Sequence, residues 1–210
     1  MFFTWPHLLM LLRHGNRCQQ LGLHLIHVST AYVFDGENED LYTEENSVHP
    51  IEWYGQTKAE AEALVMASTI DWTVLRIDQP FRSDFFPRLD IAHRILDGLK
   101  NNTLYQQFDN HFFGPTYIDD FSKVVDWVLR TGTTGLFNAS SGEKWSDFEF
   151  ATAIANTHSI TTEIQKGDLN EYLKTLDRPY QRNTAMDTTK LQNALDFELT
   201  PISKAIAEIS

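Results

Sequence analysis

Two short segments constrain this chain of 210 residues more than anything else in it: His27-Val-Ser-Thr-Ala-Tyr-Val-Phe-Asp-Gly36 and Tyr54-Gly-Gln-Thr-Lys58. The first reads as a buried strand that ends in the hydroxyls of Ser29 and Thr30 and runs into an Asp35-Gly36 turn. The second opens a helix and sets a phenol and an ammonium at i and i+4, on one face. An ammonium beside a phenol favours the phenolate, so the pattern predicts that Lys58 lowers the Tyr54 pKa toward neutrality. Thr30 is then placed to orient a carbonyl oxygen while Tyr54 gives it a proton. Taken singly, each piece is weak. Any amphipathic helix can carry Tyr-x-x-x-Lys, and strand-end hydroxyls more often make turns. Their order and context carry the reading.

The rest of the chain alternates apolar runs with helical patterns. Residues 8–20 read as a helix that ends near Gly22 and feeds a strand at 23–28. Residues 59–67 continue the Tyr54 helix. Trp72–Ile77 is nearly continuous apolar sequence, the mark of a strand buried on both faces of a parallel sheet, and Asp78-Gln79-Pro80 breaks it. Residues 81–87 are rich in aromatic side chains, which fit core better than a pocket wall. Ile91–Lys100 is an amphipathic helix with Ile91, Ile95, Leu96 and Leu99 on one stripe. Asp119 is the expected N-cap of a helix to about Arg130, with Val124, Val125, Val128 and Leu129 facing inward. Residues 131–135 turn into a strand at 136–139. Ser146 and Glu149 form a capping box for a helix to Thr157. A short strand at 160–165 and closing helices at 188–194 and 202–209 complete the pattern. The expectation is an α/β, three-layer core around a mostly parallel sheet.

Beyond the two opening segments, further stretches fit one family. Tyr42-Thr-Glu44 and Pro50 lie between them, and Pro115-Thr-Tyr-Ile-Asp-Asp120, Gly135-Leu-Phe-Asn-Ala139 with residues 145–150, Arg178-Pro179 and Met186-Asp-Thr-Thr-Lys-Leu191 follow. Together they resemble the extended short-chain dehydrogenase/reductases, and within them the dTDP-4-dehydrorhamnose reductase group, from about Leu8 to the end. One departure is Ala31, where the family usually carries Asp. The resemblance implies a Rossmann-like sheet with a smaller C-terminal lobe. Residues 1–80 would be the remnant of the NAD(P)-binding domain that bears the catalytic residues. Residues 81–210 would be mainly substrate-binding, with segments near 115–139 returning to the first domain. It also implies catalytic roles for Thr30, Tyr54 and Lys58, and cofactor contacts from Ser29, Tyr54, Lys58, Gln79 and Pro80. Ala31, Tyr32 and Arg178 would touch a nucleotide-sugar substrate.

The glycines stand at 15, 22, 36, 55, 98, 114, 132, 135, 142 and 167, with no Gly-x-Gly-x-x-Gly or Gly-x-x-Gly-x-x-Gly spacing. A Rossmann domain holds the cofactor pyrophosphate on such a turn and the helix after it. The chain therefore resembles a family member without its first βαβ units. NADPH or NADH would bind it poorly, and little or no reductase activity is expected from it as encoded.

Charge and composition exclude other classes. A net charge of −12 argues against non-specific nucleic-acid or anionic-membrane binding. An anionic ligand needs cations gathered locally, for which Arg76, Arg82, Arg88, Arg94, Arg178 and Arg182 are candidates. Each taken alone is an ordinary surface arginine. Cys18 is the only cysteine, which fits a reducing, cytoplasmic setting. The eight histidines lack metal-site spacing, so no metal is expected. The apolar start of the chain is too short to span a bilayer and lacks a signal peptide's charged start. A homodimer is compatible with all of this. Two other functions stay open: a nucleotide-sugar epimerase or dehydratase of the same superfamily, and a non-catalytic subunit resembling the regulatory subunit of methionine adenosyltransferase.

Overall fold

The structure is a computed structural model that describes Arg17 and residues 20–210. Most of the helix expected at 8–20, Cys18 included, lies outside the described residues. Strand β1 (Leu25–Thr30) runs into a 3-10 turn (Ala31–Val33), then come helix α1 (Trp53–Met66) and β2 (Trp72–Ile77). Next are β3 (Pro80–Phe81), α2 (Ile91–Lys100), β4 (Gln107–Phe108), β5 (Phe112–Phe113) and β6 (Thr116–Tyr117). Helix α3 (Ile118–Thr131) leads back to the sheet at β7 (Gly135–Asn138), followed by β8 (Trp145–Ser146) and α4 (Asp147–Thr157). The chain closes with β9 (Lys166–Gly167), α5 (Leu169–Leu173), α6 (Thr189–Ala194) and α7 (Ile202–Ala207).

The main sheet has the order β1-β2-β7 and is parallel throughout, with Leu25 opposite Trp72 and Thr73 opposite Gly135. Neighbouring side chains on β2 point to opposite faces. Leu75 packs with Val124, Trp127 and Val128 of α3 and with Phe137. Arg76 points the other way, onto α1, where Glu62 accepts two hydrogen bonds from its guanidinium at 2.9 and 2.7 Å. One helix therefore covers each face, giving the three expected layers. Arg76 is almost wholly buried, and its guanidinium lies 5.0 Å from the centre of the Phe34 ring. It ties β2, α1 and the end of the 3-10 turn together. A second apolar cluster joins Phe81, Phe113 and Phe150 to α2 and α7. The short strands beside it pair β3 with β6 and β4 with β9 in parallel, and β5 with β8 antiparallel.

Several expectations need correction. The first strand lies at Leu25–Thr30 rather than 23–28, so the hydroxyls of Ser29 and Thr30 are inside it. The strand expected at 160–165 is instead Lys166–Gly167. Ile160 and Ile164 spend their apolar surface on the second cluster, and pairing waits for Gly167, where a Cβ would crowd the Phe108 ring. Helix α3 begins one residue before Asp119, with Tyr117 at its cap. Asp119 sits in its first turn, where a carboxylate suits the helix dipole, and accepts from the Ser83 hydroxyl at 2.7 Å. Leu129 is 69% exposed, because the buried stripe of α3 runs through Val124, Trp127 and Val128 and leaves it beyond the edge. Phe81 is core as expected, but Phe85 and Phe86 stand exposed.

Candidate active site

The start of α1 is built to approach the end of β1. Glu52 caps the helix, its carboxylate accepting from the backbone N–H of Tyr54 at 2.8 Å and from that of Gly55. Gly55 packs so closely on the Tyr32 carbonyl that any Cβ there would collide with it. This close approach brings Tyr54 beside the turn that follows β1. Its ring meets Tyr32 edge-on, with centres 6.1 Å apart. The Thr30 hydroxyl accepts from the Tyr32 N–H at 3.3 Å, which caps the 3-10 turn, and it also interacts with the Tyr54 phenol. Thr30 and Tyr54 therefore converge at the carboxyl end of β1. Thr30 is buried, whereas Tyr54 is 52% exposed and open to a ligand.

Electrostatics corrects one expectation. The Tyr54 pKa is raised, chiefly by burial, with the Thr30 contact opposing and the Glu52 carboxylate adding to the rise. Lys58 is one turn away, but its ammonium donates to the Val28 carbonyl at 2.8 Å and does not act on the phenol. Burial lowers the Lys58 pKa, and Glu62, one turn further along α1, partly restores it. Tyr54 is thus a neutral phenol that holds its proton, an acid rather than a standing phenolate.

The other expected residues are placed unevenly. The Ser29 hydroxyl is buried and has no hydrogen-bond partner among the described residues. Ala31 is fully buried among Val33, Phe34, Tyr42 and Met186, so its side chain reaches no open surface. Pro80 is exposed and pairs with Thr116. Gln79 adopts a left-handed φ of 36° and lines a cavity of about 740 Å³. Arg178 stacks on Tyr180, 5.8 Å from the ring centre. Among the arginines gathered as anion candidates, Arg76 is committed to Glu62, Arg82 pairs with Asp90, and Arg94 lines the cavity.

That cavity is walled by Tyr105, Phe108, Tyr172 and Tyr180, with His111 and Asp147 also on its lining. Tyr180 and Arg178 lie near enough to Tyr32 to act on its titration. Tyr32 thus meets Tyr54 on one side and acts electrostatically with Tyr180 of the cavity lining; Thr30, Tyr32 and Tyr54 themselves do not line the cavity. Burial raises Tyr32 strongly and raises Tyr180 to about 12, so both phenols stay neutral. His111 Nδ1 bonds Asp147 Oδ2 at 2.8 Å, and the His111 ring lies 5.3 Å from that of Tyr180. Behind this wall Asp78 is fully buried. Its Oδ2 accepts from the Gly114 N–H at 2.9 Å and the Thr184 hydroxyl at 2.7 Å, and burial pushes its carboxyl up to about 7. Sequence reading passed over His111, Asp147, Tyr180 and Asp78. The one visible signal was the aromatic spacing of Tyr105, Phe108, Tyr172 and Tyr180, which resembles core as much as a pocket wall.

Known proteins align with this chain over most of its length. The family model described as "RmlD substrate binding domain" matches residues 13–210. The dTDP-4-dehydrorhamnose reductase of Aggregatibacter actinomycetemcomitans is 27% identical over 195 residues, covering 88% of this chain and 65% of that protein. Methionine adenosyltransferase 2 subunit beta of Mus musculus is 26% identical over 215 residues, covering 92% and 60%. The chain thus spans roughly three fifths of these relatives. A crystal structure of dTDP-4-dehydrorhamnose reductase from Bacillus anthracis in complex with NADP superposes with a TM-score of 0.80 at 19% identity, over 91% of this chain and 66% of that one. The likeness confirms a Rossmann-type α/β fold, and the match over residues 13–210 shows that the chain belongs to the RmlD substrate binding domain family.

Proposed function

We propose that this chain carries the acid–base and substrate-binding parts of an NAD(P)H-dependent reductase that acts on the 4-keto group of a nucleotide-linked deoxysugar. The observation that carries this reading is the convergence of Thr30 and Tyr54 at the carboxyl end of β1, beside Tyr32, which lies near Tyr180 of the 740 Å³ cavity. On this reading the Thr30 hydroxyl and the Tyr54 phenol, which interact with each other, share one ketone oxygen. Because burial keeps Tyr54 protonated, it has a proton to give as negative charge develops on that oxygen. Lys58 then stabilises the phenolate left behind by moving its ammonium from the Val28 carbonyl. Tyr105, Phe108 and Tyr172 offer stacking faces for a base, and Arg94 and Arg178 offer positive charge for phosphates.

The donors present fit the nicotinamide–ribose end of a dinucleotide. The buried, unpartnered Ser29 hydroxyl, Tyr54 and Lys58 would hold it, with Gln79 and Pro80 beside the ring. When bound, that cofactor supplies the hydride. No glycine-rich turn for a pyrophosphate occurs in the 210 residues. On this reading residues 1–80 belong to the cofactor domain, and 81–210 mainly hold substrate, with 115–139 returning to the sheet. The exposed Trp53 and Met66 of α1 support a homodimer through that helix, which sedimentation would read.

A second reading, a non-catalytic subunit, is favoured by the likeness to methionine adenosyltransferase 2 subunit beta. The deciding assay follows NADPH consumption with a dTDP-4-keto-6-deoxysugar. The chain alone should show little, and fusion of a relative's cofactor-binding segment ahead of Leu8 should raise it strongly. A fused protein that binds both ligands and consumes no NADPH would point to the second reading.

A further inference from the structure

We propose that His111, positioned by Asp147, grips a phosphoryl oxygen of the nucleotide diphosphate in the cavity; this rests on the function proposed above. Both side chains are nearly buried, at 4% and 16% exposure, and are joined by the 2.8 Å Nδ1–Oδ2 bond. Burying an imidazole and a carboxylate costs desolvation that the one hydrogen bond between them only partly offsets, so their presence in a cavity wall asks for another reason. The Nε2 atoms of His27, His93 and His158 are sealed in the interior without partners among the described residues, but that of His111 is not one of them. With Nδ1 taken by Asp147 and no partner on Nε2 among the described residues, the ring presents Nε2 to the cavity that it lines.

Asp147 fixes the ring's orientation and stabilises positive charge on it when an anion arrives, so that Nε2–H becomes a charge-assisted donor. The surroundings suit an anion. Arg94, on α2, lines the same cavity and has no acidic partner among the described residues, and Lys166 of β9 also lines it, its ammonium paired with Asp109 at 3.3 Å. Tyr180 packs against the His111 ring and stays neutral, so it adds no repulsion. The carboxylates that face the ligand are Asp147, which the ring occupies, and Asp168 and Glu171, which are engaged with Asn110 and Lys174.

The test compares dTDP with thymidine, which share the base and sugar but differ in the diphosphate. Binding is followed by calorimetry and by ligand-observed NMR for the wild type and the variants His111→Ala, His111→Gln and Asp147→Asn. His111→Ala should weaken dTDP at least tenfold and leave thymidine within about twofold. His111→Gln places an amide N–H where Nε2 stood and should recover part of that loss, and Asp147→Asn should fall between. If His111→Ala does not fold, the other two variants carry the test through the same dTDP-to-thymidine ratio. An unchanged ratio in the folded variants overturns the role of His111 and leaves the proposed function standing. A wild type that binds neither ligand overturns both.

Discussion

The Tyr54 end and the His111 end of the candidate site are built by different means. At the Tyr54 end, Thr30, Tyr54 and Lys58 come from one strand and the helix after it, and their meeting depends on local backbone devices. These are the Glu52 cap and the glycine at 55 that lets α1 touch the Tyr32 carbonyl. At the His111 end, the wall is gathered from separated loops, which are pinned by two-residue strand pairs and by the buried Asp78 carboxyl. The first end is half-exposed and suited to chemistry on an arriving group. The second is a half-open cavity walled by aromatic rings and suited to holding one. If this division is right, damage at one end should leave the other working.

The largest expected effect follows Tyr54→Phe. It removes the proton donor while keeping the ring that packs on Tyr32, so turnover in a cofactor-competent fusion should fall by about 10²- to 10⁴-fold. Affinity for dTDP should stay within twofold, because the cavity is untouched. A comparable loss of nucleotide binding would merge the two ends into one site and break the comparison.

Glu62→Ala tests the foundation under the Tyr54 end. It strands the Arg76 guanidinium in the interior, where it is now held by two bonds to Glu62 and one aromatic face. Leaving a buried charge without its partner costs about 3–5 kcal/mol. Urea unfolding should show that loss, and a cost below about 1 kcal/mol would mean that the pair is not sealed from water. Glu62→Gln keeps one acceptor and should cost less.

These residues also show why one end was legible in the sequence and the other was not. Thr30, Tyr54 and Lys58 sit in a single strand–turn–helix unit, where chain spacing nearly fixes spatial spacing. The same spacing gave the wrong sign for the Tyr54 pKa, because it cannot reveal that the Val28 carbonyl takes the Lys58 ammonium or that burial outweighs charge. His111 and Asp147 lie 36 positions apart, and only the antiparallel pairing of Phe112–Phe113 with Trp145–Ser146 brings them together. No periodicity announces a two-residue strand. The parallel core was readable for the opposite reason: β2 is buried on both faces, and that leaves a continuous apolar run.

Asp78 gives the cavity end a pH dependence of its own. Its carboxyl titrates near 7 in the folded chain against 3.8 as a reference, with burial as the main cause. Between those values the folded state keeps a proton that the unfolded state has released, so stability falls as pH rises from about 4 to 7 and stays lower above. The contribution is on the order of a few kcal/mol. Asp78→Asn cannot titrate, yet its amide oxygen can still accept from Gly114 and Thr184. Urea unfolding at pH 5, 6, 7 and 8 should show a smaller decline for the variant, and parallel curves for both proteins would rule out Asp78 as the source.

The smallest effect should follow Ser146→Ala, and it is the most selective probe of the cavity end. Ser146 is buried and caps α4: its hydroxyl accepts from the Glu149 N–H at 3.1 Å, while Glu149 reaches back to the Ser146 N–H at 2.9 Å. Alanine removes the first bond, together with the hydroxyl's own donation to the Glu149 carboxylate at 2.9 Å, and leaves the second, so a loss of about 1 kcal/mol is expected. Asp147 is the first residue of that helix, and the same frayed turn carries the carboxylate that orients His111. Affinity for dTDP should therefore fall two- to threefold, while turnover of a saturated, cofactor-competent fusion stays unchanged, since nothing at Thr30 or Tyr54 rests on α4. Stability is read by urea unfolding, and affinity by calorimetry on the same samples. A variant that loses turnover but keeps its affinity would show that the two ends share more structure than their separate construction implies.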